Sequence, residues 1–144
     1  MNTSQKLHQV GQSIWYDTIQ RGTLHSGEFA GLVAREEIRG VTSNPTIFMH
    51  AMTKSGDYDA ALAPLARAGH SAKEIFWQLA IEDIMTGADL LLPLYRQSGG
   101  GDGFISLEVS PDLAYDTETT LSEARRLWRL VDRPNLMIKI PATT

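Results

Sequence analysis

The sequence predicts an α/β protein of the (β/α)-barrel class, and three observations carry that prediction. Short apolar strands alternate with longer helical segments along all 144 residues. Each strand carries polar groups on one side. Each ends near a strong functional side chain. Strand–helix alternation calls for a parallel sheet covered by helices. An open parallel sheet is buried on both faces and its strands are apolar on both, which these are not.

The first predicted strand is Ser13 to Asp17, followed by a short helical stretch, a Gly-punctuated turn and a helix from about Gly27 to Glu36. The second strand is Gly40 to Asn44, and Pro45 opens the next helix, where its missing N–H costs nothing. The strongest helical signal runs from Ser71 to about Tyr95. It opens with the capping box Ser71-Ala-Lys-Glu74 and carries the stripe Trp77, Ile81, Ile84, Ala88, Leu91 and Tyr95, whose spacing is one helix face. Pro93 is expected to kink or end it. The run SGGGDG leads into a strand, not a helix, so it has no helix N-terminus to offer a phosphate and reads as a connector. The third strand is Gly103 to Val109. Asp116 or Thr117 caps a further helix with an inward face of Leu121, Ala124, Trp128 and Val131. The fourth strand is Leu136 to Ile140.

Alternation sorts each strand into two sides. Ile14 and Tyr16, Val41 and Ser43, Ile105, Leu107 and Val109, and Leu136, Ile138 and Ile140 lie on one. Opposite them lie Trp15 and Asp17, Gly40, Thr42 and Asn44, Phe104, Ser106 and Glu108, and Met137 and Lys139. A closed barrel explains this best, with the polar side toward the lumen and the apolar side under the helices. Barrel sites form at the C-terminal strand ends, where Asp17, Asn44, Glu108 and Lys139 fall.

Composition narrows the function classes. With 42% hydrophobic and 21% charged residues the chain reads as globular. Thirteen Lys and Arg against 17 Asp and Glu, with no basic stripe, argue against a nucleic-acid partner. No stretch is long and apolar enough to cross a bilayer, and the N-terminus has no secretory signal pattern. Cysteine is absent, which fits a reducing compartment. His8, His25, His50 and His70 have no paired ligand spacing, so no metal site is expected.

Each candidate also has a plainer reading. Asp17-x-x-Gln20 resembles a capping box, and Asn44 before Pro45 is a good N-cap. Lys139 on an edge strand could point to water. The recurrence of strong groups at one strand end in four successive units favours a shared site. A lysine held among apolar neighbours loses solvation, which disfavours its ammonium. The free amine can attack a carbonyl and form a Schiff base. Asp17 and Glu108 are the available proton-transfer groups, and Asn44 can donate and accept hydrogen bonds to sugar hydroxyls.

The segments IWYDTI, RGVTSNPTIF, DGFISLEVSPDLAYDTETT and RPNLMIKIPAT resemble transaldolases, in particular the longer bacterial type. The resemblance implies a (β/α)8 TIM barrel of which about the first four β/α units are present, residues 1–144 forming its N-terminal half. It implies that Lys139 is the Schiff-base lysine. Asp17 is then the acid/base acting on the donor hydroxyl, and Glu108 the carboxylate working with a water. Asn44 holds dihydroxyacetone hydroxyls, with Thr42 beside it as a substrate-binding group. It implies transfer of a dihydroxyacetone unit between sugar phosphates in the pentose phosphate pathway: sedoheptulose 7-phosphate and glyceraldehyde 3-phosphate exchange with erythrose 4-phosphate and fructose 6-phosphate. No cofactor and a cytoplasmic location are implied too.

The family's phosphate-binding arginine and serine belong to the later half of the barrel. The chain is accordingly expected to be a truncated form, inactive or poorly folded alone, whose open sheet edges give a route to self-association. A lysine aldolase releasing dihydroxyacetone and a non-catalytic fragment are the alternative readings.

Overall fold

The strand–helix alternation folds into one parallel sheet with its helices packed on one side. The computed structural model describes residues 1–143. In chain order the elements are α1 (Thr3–Gln9), β1 (Trp15–Tyr16), α2 (Arg21–Ser26), α3 (Glu28–Ala34), β2 (Gly40–Val41), α4 (Pro45–Lys54), α5 (Asp59–Arg67), α6 (Ala72–Gln97), β3 (Phe104–Glu108), a 3-10 turn (Pro111–Leu113), α7 (Thr117–Val131) and β4 (Leu136–Lys139). The sheet order is β1-β2-β3-β4, so each strand lies beside its predecessor. All three pairings are parallel.

The registers place Trp15 beside Gly40, Gly40 beside Phe104, Ser106 beside Met137 and Glu108 beside Lys139. These residues share one face, as the alternation predicts. On the opposite face Val41, Ile105, Leu107, Val109 and Leu136 are buried with Ile84, Ala88 and Leu91 of α6 and Leu127 and Val131 of α7 in a single core. Two positions show how tightly the layers meet. A Cβ on Gly87 of α6 would lie 2.7 Å from Ile105 Cδ1, so any larger residue there must displace the end of the Ile105 side chain. A Cβ on Gly40 would lie 2.5 Å from the Trp15 indole, which covers that stretch of β2.

The first two strands are shorter than the predicted Ser13–Asp17 and Gly40–Asn44, because side chains take over from the ladder. The Thr42 N–H still donates to Tyr16 O at 3.0 Å. Beyond it the Ser43 hydroxyl bonds Ser106 O at 2.7 Å, and Asn44 turns to cap α4.

The long helix α6 has both halves of its expected capping box, Ser71 with Glu74. It runs to Gln97 with Pro93 inside it, so Pro93 does not end it. Its buried face is Ile75, Leu79, Ala80, Asp83, Ile84, Gly87, Ala88 and Leu91. The predicted stripe is right at Ile84, Ala88 and Leu91, while Trp77 and Ile81 flank the core and line a groove toward α7.

The predicted inward face of α7 needs a larger correction. Asp116 caps the helix, accepting from Thr119 N–H at 3.0 Å. Val131 is buried and Ala124 packs against the core as predicted, but the other buried residues are Thr120 and Leu127. Leu121 is 49% exposed and Trp128 46%. The helix carries two apolar stripes, rotated from each other about its axis. One packs on the sheet. The other, with Leu121, lines a cavity with Ile140 beyond the end of β4. Among the described residues no helix is long and apolar enough to cross a membrane.

Candidate active site

The C-terminal ends of β2, β3 and β4 bring their polar side chains together. Lys139 and Glu108 are register partners in a parallel pair and therefore emerge on the same side. Their charged ends are 3.3 Å apart, Nζ to Oε2. Lys139 Nζ also donates to Thr42 Oγ1 at 3.3 Å and to the Ser43 carbonyl at 3.0 Å. An ammonium has three N–H donors, and three acceptors stand around it.

Thr42 is itself fixed. Its Oγ1 accepts from the Ser106 hydroxyl at 3.2 Å. Ser106 Oγ in turn accepts from Ser43 N–H at 3.4 Å. Ser43 and Ser106 are buried, so this hydroxyl chain forms a rigid floor under the amine. The candidates singled out from sequence did not include Ser43 or Ser106. The signal for Ser106 was present, since it stands two residues before Glu108 on the polar side. Ser43 belongs to the apolar side, and only the coordinates place its carbonyl against the lysine.

Two expectations change. The sequence leads one to expect Lys139 among apolar neighbours, stripped of water. Instead its side chain is 41% exposed and ion-paired with Glu108, itself 27% exposed. The cause is its place on an edge strand whose lumen side is open among the described residues, with neighbouring Met137 also exposed. Asn44 does cap α4: Oδ1 accepts from Ile47 N–H at 2.9 Å. The plainer reading of Asn44 is thus realised, and its side-chain carbonyl already has a partner.

The capping reading of Asp17 fails, because the N-cap of α2 is Gln20 and no side chain caps that helix. Asp17 is exposed immediately after β1. By alternation from Trp15 it falls on the face of Thr42. It makes no hydrogen bond to Lys139 among the described residues. Three inter-strand steps of about 4.8 Å separate β1 from β4, roughly 14 Å along the sheet and less across its curve.

The segment after Asp17 is held by a buried polar cluster that the sequence reading missed. Arg21 Nε meets Asp83 Oδ1 at 2.7 Å. The Tyr58 hydroxyl donates to Asp83 Oδ2 at 2.7 Å and accepts from the Arg21 N–H at 3.3 Å. The Arg21 guanidinium also lies 4.9 Å from the centre of the Tyr58 ring. Burial pushes the Asp83 carboxyl above its ordinary pKa against the pull of Tyr58 and Arg21. Burial and the neighbouring carboxylate hold the Tyr58 phenol well above its own. Only Asp83 sits in a recognisable helix face, and nothing in the linear order announces its partners.

The fold and this strand-end cluster define a parallel (β/α)-barrel protein with a lysine–carboxylate pair at the barrel mouth. A profile of the family described as Transaldolase/Fructose-6-phosphate aldolase matches residues 14–144. The chain belongs to that family, and its sheet is four parallel strands of a TIM-type barrel. Similar proteins include the transaldolase of Thiobacillus denitrificans, 48% identical over 99% of this chain and 40% of that protein. The transaldolase of Thermobifida fusca is 51% identical over 96% of this chain and 38% of its own length. That of Trichodesmium erythraeum is 43% identical over 96% and 36%. The chain thus spans about two fifths of the length of the curated relatives it matches.

Proposed function

We propose that Lys139, Glu108, Thr42, Asn44 and Asp17 form part of a Schiff-base transaldolase centre. It would transfer a dihydroxyacetone unit between the sugar phosphates named above, within the pentose phosphate pathway and in the cytoplasm. The observation that carries the reading is the contact of Lys139 with Glu108, Thr42 and the Ser43 carbonyl at three adjacent strand ends.

The amine attacks the C2 carbonyl of the ketose, and loss of water leaves an iminium. Before attack Nζ gives up a proton, and Glu108 lies within reach at 3.3 Å to take it, directly or through a water. Asp17 accepts the C4 hydroxyl proton as the C3–C4 bond breaks, and the iminium receives the electron pair as an enamine. The aldehyde product departs, and the enamine carbon attacks the acceptor aldehyde to reverse the sequence. Thr42 keeps Nζ aimed, and the amide of Asn44 retains two N–H donors for substrate hydroxyls. The open edges of β1 and β4, with exposed Leu121, Trp128 and Ile140 beside β4, favour self-association of the chain as it stands.

Reduction with borohydride in the presence of fructose 6-phosphate tests the reading. The expected result is a stable mass gain on Lys139, absent from Lys139→Ala. Folded protein that gains no mass would favour the non-catalytic reading. Release of free dihydroxyacetone without transfer to an added aldehyde would favour the lysine aldolase.

A further inference from the structure

The loop that carries Asp17 is fastened by residues far from it in sequence. Helix α2 begins at Arg21, and its N-cap Gln20 makes no side-chain cap bond. The N–H groups at the head of a helix have no partner within it. Here the connection between α4 and α5 supplies two acceptors. The Tyr58 hydroxyl accepts from the Arg21 N–H at 3.3 Å, and Asp57 Oδ2 accepts from the Gly22 N–H at 3.1 Å. A Cβ on Gly22 would lie 2.7 Å from that same oxygen, so any larger residue there must push the carboxylate away.

The Arg21 side chain ties the same point to α6. Its Nε meets Asp83 Oδ1 at 2.7 Å. One terminal nitrogen donates to the Leu79 carbonyl at 3.2 Å and to Glu82 Oε2 at 3.0 Å. Asp83 Oδ2 accepts from the Tyr58 hydroxyl at 2.7 Å, which closes a ring of bonds around fully buried side chains. Ile19 is buried in the main core and pins the middle of the loop. The Asp17 carboxylate is exposed and forms no hydrogen bond among the described residues. Its place is therefore set by the backbone on either side. Before it, Tyr16 O accepts from the Thr42 N–H at 3.0 Å. After it come Ile19 and the Arg21 ring of bonds. A buried ion pair is a weak source of stability, because desolvation offsets its attraction. Fixed geometry at the head of α2 is what this one supplies.

We propose that Arg21, Tyr58 and Asp83, with Asp57 at their rim, are positioning residues that hold Asp17 in place for breaking the C3–C4 bond. This rests on the reading of Asp17 as the group that takes the C4 hydroxyl proton. Lys139 has its own supports in Glu108, Thr42 and the Ser43 carbonyl, none of them bonded to the cluster among the described residues. Loosening the cluster therefore slows cleavage and spares formation of the iminium.

Tyr58→Phe tests this by deleting one hydroxyl while keeping the ring. Asp57 is exposed, so Asp57→Ala does not endanger the fold, and Asp57→Asn restores an acceptor for the Gly22 N–H. The full chain is mixed with fructose 6-phosphate and reduced with borohydride at increasing times. A six-carbon adduct on Lys139 marks an iminium before cleavage, and a three-carbon adduct marks one after it. In Tyr58→Phe total trapping should stay within about twofold of the unaltered chain, while conversion of the six-carbon to the three-carbon adduct slows by about 100-fold, the cost of a misplacement of about 1 Å. Asp57→Ala should slow conversion by about tenfold and Asp57→Asn should restore it. A second readout needs no turnover. Order parameters from 15N relaxation should be about 0.85 for Asp17, Thr18 and Ile19 in the unaltered chain and below about 0.6 in Tyr58→Phe, with Thr42 and Leu107 unchanged. An unaltered chain that traps no adduct counts against the lysine reading, and the order parameters then decide the clamp alone. The proposal is overturned if those residues stay rigid in Tyr58→Phe, if trapping and conversion slow equally, or if Asp57→Asn converts as slowly as Asp57→Ala.

Discussion

The two faces of the sheet are written by the same strands and obey different rules. Toward the helices, Val41, Ile105, Leu107, Val109 and Leu136 pack with apolar side chains in one core and are almost fully buried. Toward the lumen, Thr42, Ser106, Glu108 and Lys139 meet one another through hydrogen bonds and an ion pair. Stability is concentrated on the first face, where each buried aliphatic side chain contributes about 1.5–3 kcal/mol. The partly exposed groups of the second face contribute much less to folding and more to chemistry. One residue step along β3, from Leu107 to Glu108, crosses from one regime to the other.

The largest effect expected from breaking this pattern is on the helix side. Ile105 is fully buried, and its Cδ1 fills the space that Gly87 leaves open. Ile105→Ala empties that space between two rigid backbones that cannot close over it. A loss of about 3–4 kcal/mol is expected in urea unfolding. A loss under about 1 kcal/mol would mean that the helix layer is not packed as described.

The same contrast explains what was legible in the sequence. Alternation fixed the side of every strand residue, because a parallel strand has a strict period of two. Hence the sharing of one face by Thr42, Ser106, Glu108 and Lys139 could be read directly. The α7 face could not. Ala124 and Val131 do pack on the core, but Leu121 and Trp128 fit the helical period with them as well as Thr120 and Leu127 do. The state of Lys139 was also out of reach, because exposure depends on what covers the lumen. The Arg21–Asp83–Tyr58 cluster joins residues up to 62 positions apart, and local pattern has no means of pairing them.

A smaller effect is expected where the two rules meet. Gly40 lies on the lumen side, yet it is there for packing, since the Trp15 ring occupies the place of a Cβ. Gly40→Ala must push the indole aside. Trp15 is only partly buried and its Nε1 bonds the Ser13 hydroxyl at 3.0 Å, so the ring can move at the cost of that bond. A destabilisation of about 1–2 kcal/mol follows, seen in urea unfolding with a change in tryptophan fluorescence. A neutral outcome would show that the lumen side near β1 is not packed at all.

The smallest effect on stability belongs to the ion pair, where it sharpens the comparison most. Glu108→Gln keeps the shape of the side chain and an oxygen that can accept from Lys139 Nζ, and it removes the charge. Both partners are partly open to solvent, so water screens their attraction and unfolding should shift by less than about 1 kcal/mol. Trapping at Lys139 with fructose 6-phosphate and borohydride should slow by about 100-fold, because an amide cannot take the proton that Nζ must lose. Equal and modest changes in both measurements would place Glu108 with the packing residues. A protein that unfolds almost as before yet forms the adduct about 100-fold more slowly is the outcome the lumen face calls for: the carboxylate is held there against an amine that already has Thr42 and the Ser43 carbonyl to keep it in place.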